Sequence, residues 1–422
     1  MAFQSLSVRQ RALLIGVVAL AARAFYIAIA GRHFDVTAPG DHVAYTEFAR
    51  LMLSGPGWFS YPLAVREPLY PAFMAVAYAL PGGDFGSLQI LQALLGAATA
   101  SWLYLGLRRF TGERVALLSG AMFALHPHFV PFTADPLREN LIIPLVVGFV
   151  VSFLAAMERP ARTRLFVHAL FIVLLAHTDV RFLPLAAVFP FMAFAAHRGV
   201  ARSLRETLWV ALFAVLMMIP YQARCYIAMG HPVIVTERFF GRWLPRAGVV
   251  TGNAVEEHGS RESWLADWER KKRESLATLT PGERAFFESG SRPLLAHRAV
   301  HLYLFNEYWR FARLAPSYRP YPDGRFEPGW SLRHNATSSL VMVPFFLLLP
   351  VFFWLAGPAE RRIAVPLLGY LVAHNIMHVL VHARERYRIP LEVITGLVVA
   401  MALVLLWDRF VSGKNSNSSA RS

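Results

Sequence analysis

Apolar segments close to twenty residues long recur along this 422-residue chain, and no other feature limits its fold so strongly. A bilayer core is crossed by about 17–25 apolar residues in helical form, because a helix satisfies its own backbone hydrogen bonds in hydrocarbon. Ten segments approach that length: 11–30, 88–107, 115–132, 139–157, 163–177, 182–197, 206–224, 338–356, 362–382 and 388–407. The fifth and sixth are short and are parted by HTDVR, residues 177–181. Composition agrees, with 56% hydrophobic and 16% charged residues; soluble proteins carry about 25% charged. The predicted fold is an all-α polytopic membrane protein with ten transmembrane helices.

The polar connections fall alternately on two sides. One side holds RRFTGER (108–114), ERPARTR (158–164), HRGVARSLRE (197–206), the AERR turn (359–362) and a tail with Arg409 and Lys414. These are short and basic, as cytoplasmic loops are. Arg9 and Arg11 precede the first apolar run, which ends Ala28-Ile29-Ala30 like a signal-peptidase site. Its length and the interrupting Arg23 favour an uncleaved first span. The net charge of +15 is almost all arginine, since the only lysines are Lys271, Lys272 and Lys414. In a membrane protein such charge serves orientation and anionic headgroups, and no nucleic-acid partner is expected. The single cysteine, Cys225, excludes an internal disulfide and a thiolate metal cluster.

The other side holds 31–87, 133–138, 177–181, 225–337 and 382–388. Within 31–87, two short helices are predicted to lie along the interface, one beginning at PGDHVAYTEFARLML (39–53) and one at REPLYPAFMAVAYAL (66–80). Residues 225–337, with WLADWERKKRESL at 264–276, form the one sizeable polar region. The predicted organisation is thus a transmembrane module over 1–224 with a catalytic first outer loop, an extracytoplasmic helical loop region over 225–337, further transmembrane helices over 338–410 and a cytoplasmic tail over 411–422.

Charges gather on that second side. They are Asp41 after the first span, Arg66 and Glu67 in VREPLYP, Asp135, Arg138 and Glu139 in TADPLREN, and Asp179 and Arg181 in HTDVR. HARERYRIPLEV (382–393) adds Arg384, Glu385, Arg386, Tyr387 and Arg388. Taken singly, each is ordinarily an interfacial charge or a snorkelling arginine. Outer arginines cannot serve the positive-inside bias, however, and ionisable groups at membrane depth usually face a polar cavity. Together they describe a place for an anion and a proton acceptor.

An outer-loop aspartate after span one, the REPLYP stretch, D-P-L between spans three and four, and RYRIP before a late span resemble the GT-C glycosyltransferases. Among these the chain is most similar to the branch of protein O-mannosyltransferases and lipid A aminoarabinose transferases. The resemblance covers spans one to six and the last two; 225–337 matches no family. It implies transfer of a sugar from a polyprenyl-phosphate-linked donor to an acceptor hydroxyl on a glycan, lipid or protein, at the extracytoplasmic face of a cell membrane. Asp41 takes the place of the family's base, and Glu67 or Asp135 that of its second acidic residue. Arg66, Arg384, Arg386 and Arg388, with Tyr387 beside them and Arg138 as a further candidate, take the place of its phosphate-binding residues. Arg-Glu-Asn after D-P-L departs from many members. No cofactor is implied, and a divalent metal is left open.

Other features are read as structural. His374, His378 and His382 share one helical face; imidazoles so spaced can bind a metal, but a polar stripe facing the bundle and leading toward the donor site is the preferred reading. His126 and His128 flank Pro127 and shape a cavity. Neither a Walker loop nor a Rossmann fingerprint is present, which disfavours nucleotide-sugar use and ATP-driven transport. The alternative function is a transporter or flippase for a lipid-linked or anionic solute, but polar groups then belong at mid-membrane rather than at one edge.

Overall fold

The computed structural model describes residues 6–30, 41–54, 67–83, 85–183, 190, 199–229, 233, 235, 328–381 and 389–412. All regular structure among them is helical: α1 (Val8–Ala30), α2 (Asp41–Leu53), α3 (Leu69–Ala79), α4 (Phe85–Thr111), α5 (Glu113–Ala124) and α6 (Phe129–Phe132). These are followed by α7 (Glu139–Glu158), α8 (Arg162–Thr178), α9 (Val200–Met229), α10 (Pro328–Leu355), α11 (Pro358–Val381) and α12 (Glu392–Trp407). Among the described residues five helices are long and apolar enough to cross a bilayer, namely α1, α4, α7, α9 and α12 with its flanking turns. The chain is a multi-pass membrane protein. Most of the expected span 182–197, and of the polar region 225–337, lies outside the described residues.

Where described, the helices follow the apolar segments, with two informative differences. The expected span 115–132 is interrupted after Ala124. Pro127 lacks a backbone N–H and disfavours the helical conformation at His126, so the chain turns there before the four-residue α6. In addition, α9 continues to Met229 and α10 starts at Pro328, so both run past the ends of their apolar segments.

Helices α7 and α12 are the centre of the bundle, with 78% and 72% of their apolar windows buried, against 22% for α1 and 28% for α9. The outer helices turn Leu13, Val17, Phe25, Leu208 and Leu212 outward. An apolar exterior of this kind suits lipid, not water. The first-loop helices α2 and α3 pack on each other through Tyr45, Ala49, Tyr70 and Met74, and α3 also rests on α4 and α8.

The basic connections close one end of the bundle with ion pairs. Arg11 and Arg108 both reach Glu113, at 2.6 and 2.9 Å, and Arg109 reaches Glu158 at 2.6 Å. Arg114 pairs with Asp408 at 2.5 Å. Exposed pairs like these contribute little stability; they mark a polar end where α4, α5, α7 and α12 all begin or stop.

Arg23 has a different task inside the bundle. Its Nη1 donates to the carbonyls of Ala19 (3.0 Å) and Ala124 (3.1 Å), the second being the last residue of α5. At Ala124 the cation meets a carbonyl at the negative end of α5. Gly96 leaves the room, since a Cβ at that position would stand 2.3 Å from Arg23 Nε. Gly96→Val is therefore expected to destabilise the protein by on the order of 1–3 kcal/mol through overpacking. Thermal unfolding in detergent checks this, and a variant as stable as the wild type refutes the assignment.

Candidate active site

At the end of the bundle opposite those ion pairs, three helix termini meet. Glu67 lies just before α3, Arg138 caps the start of α7, and Asp179 caps the end of α8. Arg138 Nη1 donates to Glu67 Oε2 at 3.0 Å, and its Nη2 lies 3.2 Å from Asp179 Oδ2. Asp179 also accepts from the backbone N–H of Arg181 (3.1 Å) and from its Nε (2.8 Å). Val180 N–H reaches Glu67 Oε1 at 3.4 Å, which closes a ring of contacts. The three central side chains are 4–10% exposed, so water screens these charges little. Burial opposes the Arg138 charge, but Asp179, Tyr45 and Glu67 outweigh it and hold the guanidinium more firmly protonated than a free arginine.

The loop carrying Asp135 is held from both sides. From α4, Gln89 Nε2 donates to Ala134 O at 2.9 Å, and Gln92 Nε2 to the carbonyls of Thr133 (3.0 Å) and Asp135 (3.2 Å). From α7, Asn140 Nδ2 faces the carbonyls of Phe132, Asp135 and Leu137 at 2.7–3.1 Å. Such amides supply donors that a turn containing Pro136 cannot find in its own backbone. Tyr70 of α3 donates to Gln92 Oε1 at 2.9 Å, so the first loop and the Asp135 loop share one network. Burial, and then the neighbouring Glu139, push the Asp135 carboxyl up to about 6. A carboxyl titrating there can exchange a proton near neutrality.

The structure thus brings Glu67 and Arg138 into contact, adds Asp179 and Arg181 to them, and seats Asp135 on the same framework. Asp41 is the first residue of α2, one turn before Tyr45, whose ring meets Tyr70 edge-on at 5.2 Å. Arg66, Arg384, Arg386, Tyr387 and Arg388 lie outside the described residues. In the stripe on α11, His374 is buried against Phe182 at 5.0 Å between ring centres, one residue past Arg181. His378 and His382 fall where no side chain is described. Sequence reasoning missed Glu392 altogether. It sits at the first turn of α12 and meets His126 and His128, so the three can share a metal ion.

The fold and these contacts set the frame for comparison with known proteins. Residues 64–223 match the family model of dolichyl-phosphate-mannose-protein mannosyltransferases, a stretch running from REPLYP through α9. No curated protein sequence matches the chain. Among solved structures the chain is similar to the oligosaccharyltransferase AglB of Archaeoglobus fulgidus in complex with an inhibitory peptide and a dolichol-phosphate. That match has a TM-score of 0.56 and 14% identity, covering 99% of this chain and 52% of the other. It is likewise similar to the A. fulgidus oligosaccharyltransferase in complex with Zn and sulfate (TM-score 0.53, 14% identity, 96% and 49% covered). A third similar structure is the same enzyme tethered to an acceptor peptide (TM-score 0.54, 15% identity, 95% and 50% covered). The chain spans about half the length of these relatives. Its fold is that of the GT-C membrane glycosyltransferases.

Two consequences can be measured. Arg138→Gln leaves Glu67 and Asp179 buried without their shared cation, so a loss on the order of 3–5 kcal/mol is expected, with Glu67→Gln milder. Equal melting temperatures for Arg138→Gln and wild type in detergent would contradict this. For Asp135, the fold raises the carboxyl from 3.8 to about 6 and so favours its protonated form. The resulting stability is complete below about pH 4 and is lost as pH rises through about 6. Wild-type melting temperature, measured relative to Asp135→Asn, should fall across that window. Parallel curves would show that Asp135 is not buried as described.

Proposed function

We propose that the chain transfers a sugar from a polyprenyl-phosphate-linked donor to an acceptor hydroxyl, at the extracytoplasmic end of the bundle. The observation that carries this reading is the buried Glu67–Arg138–Asp179 assembly at the helix ends bordering the first loop, in a GT-C fold. The match to dolichyl-phosphate-mannose-protein mannosyltransferases over 64–223 supports a lipid-phosphate donor, as does the dolichol-phosphate bound to AglB. The side of the membrane rests on the basic ion-paired end being cytoplasmic, which puts the acidic end outside.

In the step proposed, the acceptor oxygen bonds to the anomeric carbon as the bond from that carbon to the phosphate oxygen breaks. The acceptor proton passes to the Asp41 carboxylate, and the lipid leaves as a phosphate monoester. No general acid is needed, because the leaving phosphate is stable as an anion. Its growing charge calls for fixed bidentate cations instead. Arg66, Arg384, Arg386 and Arg388 fill that role, with Tyr387 beside them. Arg138 is engaged by Glu67 and Asp179, so its part is to hold two carboxylates in place at the rim of the site. One displacement at the anomeric carbon inverts its configuration. Asp135, titrating near 6, is the second acidic candidate alongside Glu67.

Asp41→Asn is expected to lower sugar transfer from a polyprenyl-phosphate-linked donor by on the order of 10²–10⁴-fold with donor binding kept. Arg384→Gln combined with Arg388→Gln should raise KM for that donor more than it lowers kcat. Transfer unaffected by Asp41→Asn removes that residue as base. Retained configuration in the product rules out single displacement. Binding of lipid phosphate without any transfer from a range of donors returns the protein to the class of carriers.

A further inference from the structure

His126, His128 and Glu392 meet at a point that the transfer step does not use. The imidazoles belong to the turn that Pro127 forces after α5, and Glu392 opens α12, 264 residues beyond His128. Glu392 Oε2 lies 2.7 Å from His128 Nδ1 and 3.6 Å from His126 Nε2. All three residues are buried, and one donor atom from each lies within 4.8 Å of the others. Among the described residues this is the one group of three histidine, cysteine or acidic side chains so arranged.

We propose that His126, His128 and Glu392 form a binding site for a single divalent transition-metal ion of the zinc class. The donor set is the two-imidazole, one-carboxylate type that such ions take, with a fourth position left open. Metal–ligand bonds of about 2.0–2.2 Å at tetrahedral angles set neighbouring donor atoms roughly 3.3–3.5 Å apart. The 3.6 Å pair is close to that spacing, the 2.7 Å pair reaches it by a small rotation of one ring, and the two imidazole nitrogens lie within 4.8 Å of each other. A carboxylate taken out of water needs positive charge close by, and a dication supplies it at one point.

Proton bookkeeping is simple. At present the backbone N–H of His128 faces His126 Nδ1 at 3.3 Å, which leaves the ring proton on Nε2, toward Glu392. An arriving ion replaces protons between the rings and the carboxylate. Neutral imidazoles shift their proton to the outward nitrogen, and a protonated one releases it. His126 gives up that long backbone contact.

A cavity adjoins the site as well. His126 lines a cavity of about 350 Å³ together with Met122 and Leu125 on one wall, Leu340 and Val341 of α10 on another, and Thr395 of α12. The ion would tie the turn after α5 to the first turn of α12. The short turn Ile389–Leu391 between Arg388 and Glu392 packs on α7, whose N-terminus is Arg138. A bound metal thus anchors the stretch that follows Arg384–Arg388 and acts on it by position, whatever reaction the chain performs.

The test uses the full-length chain, purified in detergent, stripped with a chelator and titrated with Co²⁺ under visible absorption, with bound Zn²⁺ counted by elemental analysis. One ion per chain is expected, with a melting temperature raised by metal. Changes outside the coordination sphere already weaken metal sites by about 10–100-fold, so His126→Asn and Glu392→Gln should each weaken binding more than about 100-fold. Both should also abolish the metal-dependent rise in melting temperature, while Asp135→Asn and Asp41→Asn leave it intact. Gel filtration checks folding, and His126→Asn, at the cavity wall, stands as the deciding variant where Glu392→Gln fails to fold. No ion bound by the wild type overturns the proposal and leaves a proton-filled histidine–carboxylate contact. Binding that survives His126→Asn overturns it too, and its loss in Asp135→Asn would move the ion to the aspartates.

Discussion

Arg138 is the constraint on which one end of this bundle depends. One guanidinium spans two carboxylates drawn from the start of α3 and the end of α8, and it does so from the residue that caps α7. In a low-dielectric setting Glu67 is costly to bury without that cation and the cation without the acids, while Asp179 also keeps Arg181. The first loop, the third connection and the α8 terminus are therefore held in one geometry. Apolar packing alone does not achieve this, since sliding helices past one another in a lipid-surrounded bundle changes dispersion energy only gradually.

A second layer of order comes from side-chain amides. Gln89, Gln92 and Asn140 add side-chain donors to the carbonyls of residues 132–137, where prolines at 131 and 136 supply no backbone N–H and only turn-type backbone bonds remain. Asp135 is thereby fixed in partial burial, and its raised pKa follows from that placement and from Glu139. At the other end, Glu113 and Glu158 gather arginines in exposed pairs that contribute sidedness more than stability. The two ends use the same residue types under different solvation, and this difference separates a candidate site from an orientation signal.

Most of the candidate site was legible in the linear chain. Loop parity put Glu67, Asp135, Arg138 and Asp179 on one side, and REPLYP with D-P-L pointed to their chemistry. What parity could not supply was pairing. Arg138 reads in the sequence as a candidate phosphate-binding residue, and the fold adds its pairing with Glu67 and Asp179. Glu392 went unassigned because a glutamate at the start of an apolar helix looks like a first-turn acid favoured by the helix dipole. His126 and His128, flanking Pro127, read in the sequence as structural. Their meeting with Glu392 depends on α5 packing against α12, a contact between segments some 264 residues apart.

The sequence by itself determined the all-helical, membrane-spanning character, the alternation of loops and the residue types available at each end. These follow from local quantities: the length of an apolar run, the period of a helix and the positions of proline and arginine. Only the tertiary structure decided which charges neutralise one another and which histidines face a carboxylate. Those outcomes turn on a few ångströms between segments remote in the chain, and low-dielectric electrostatics makes those ångströms decisive.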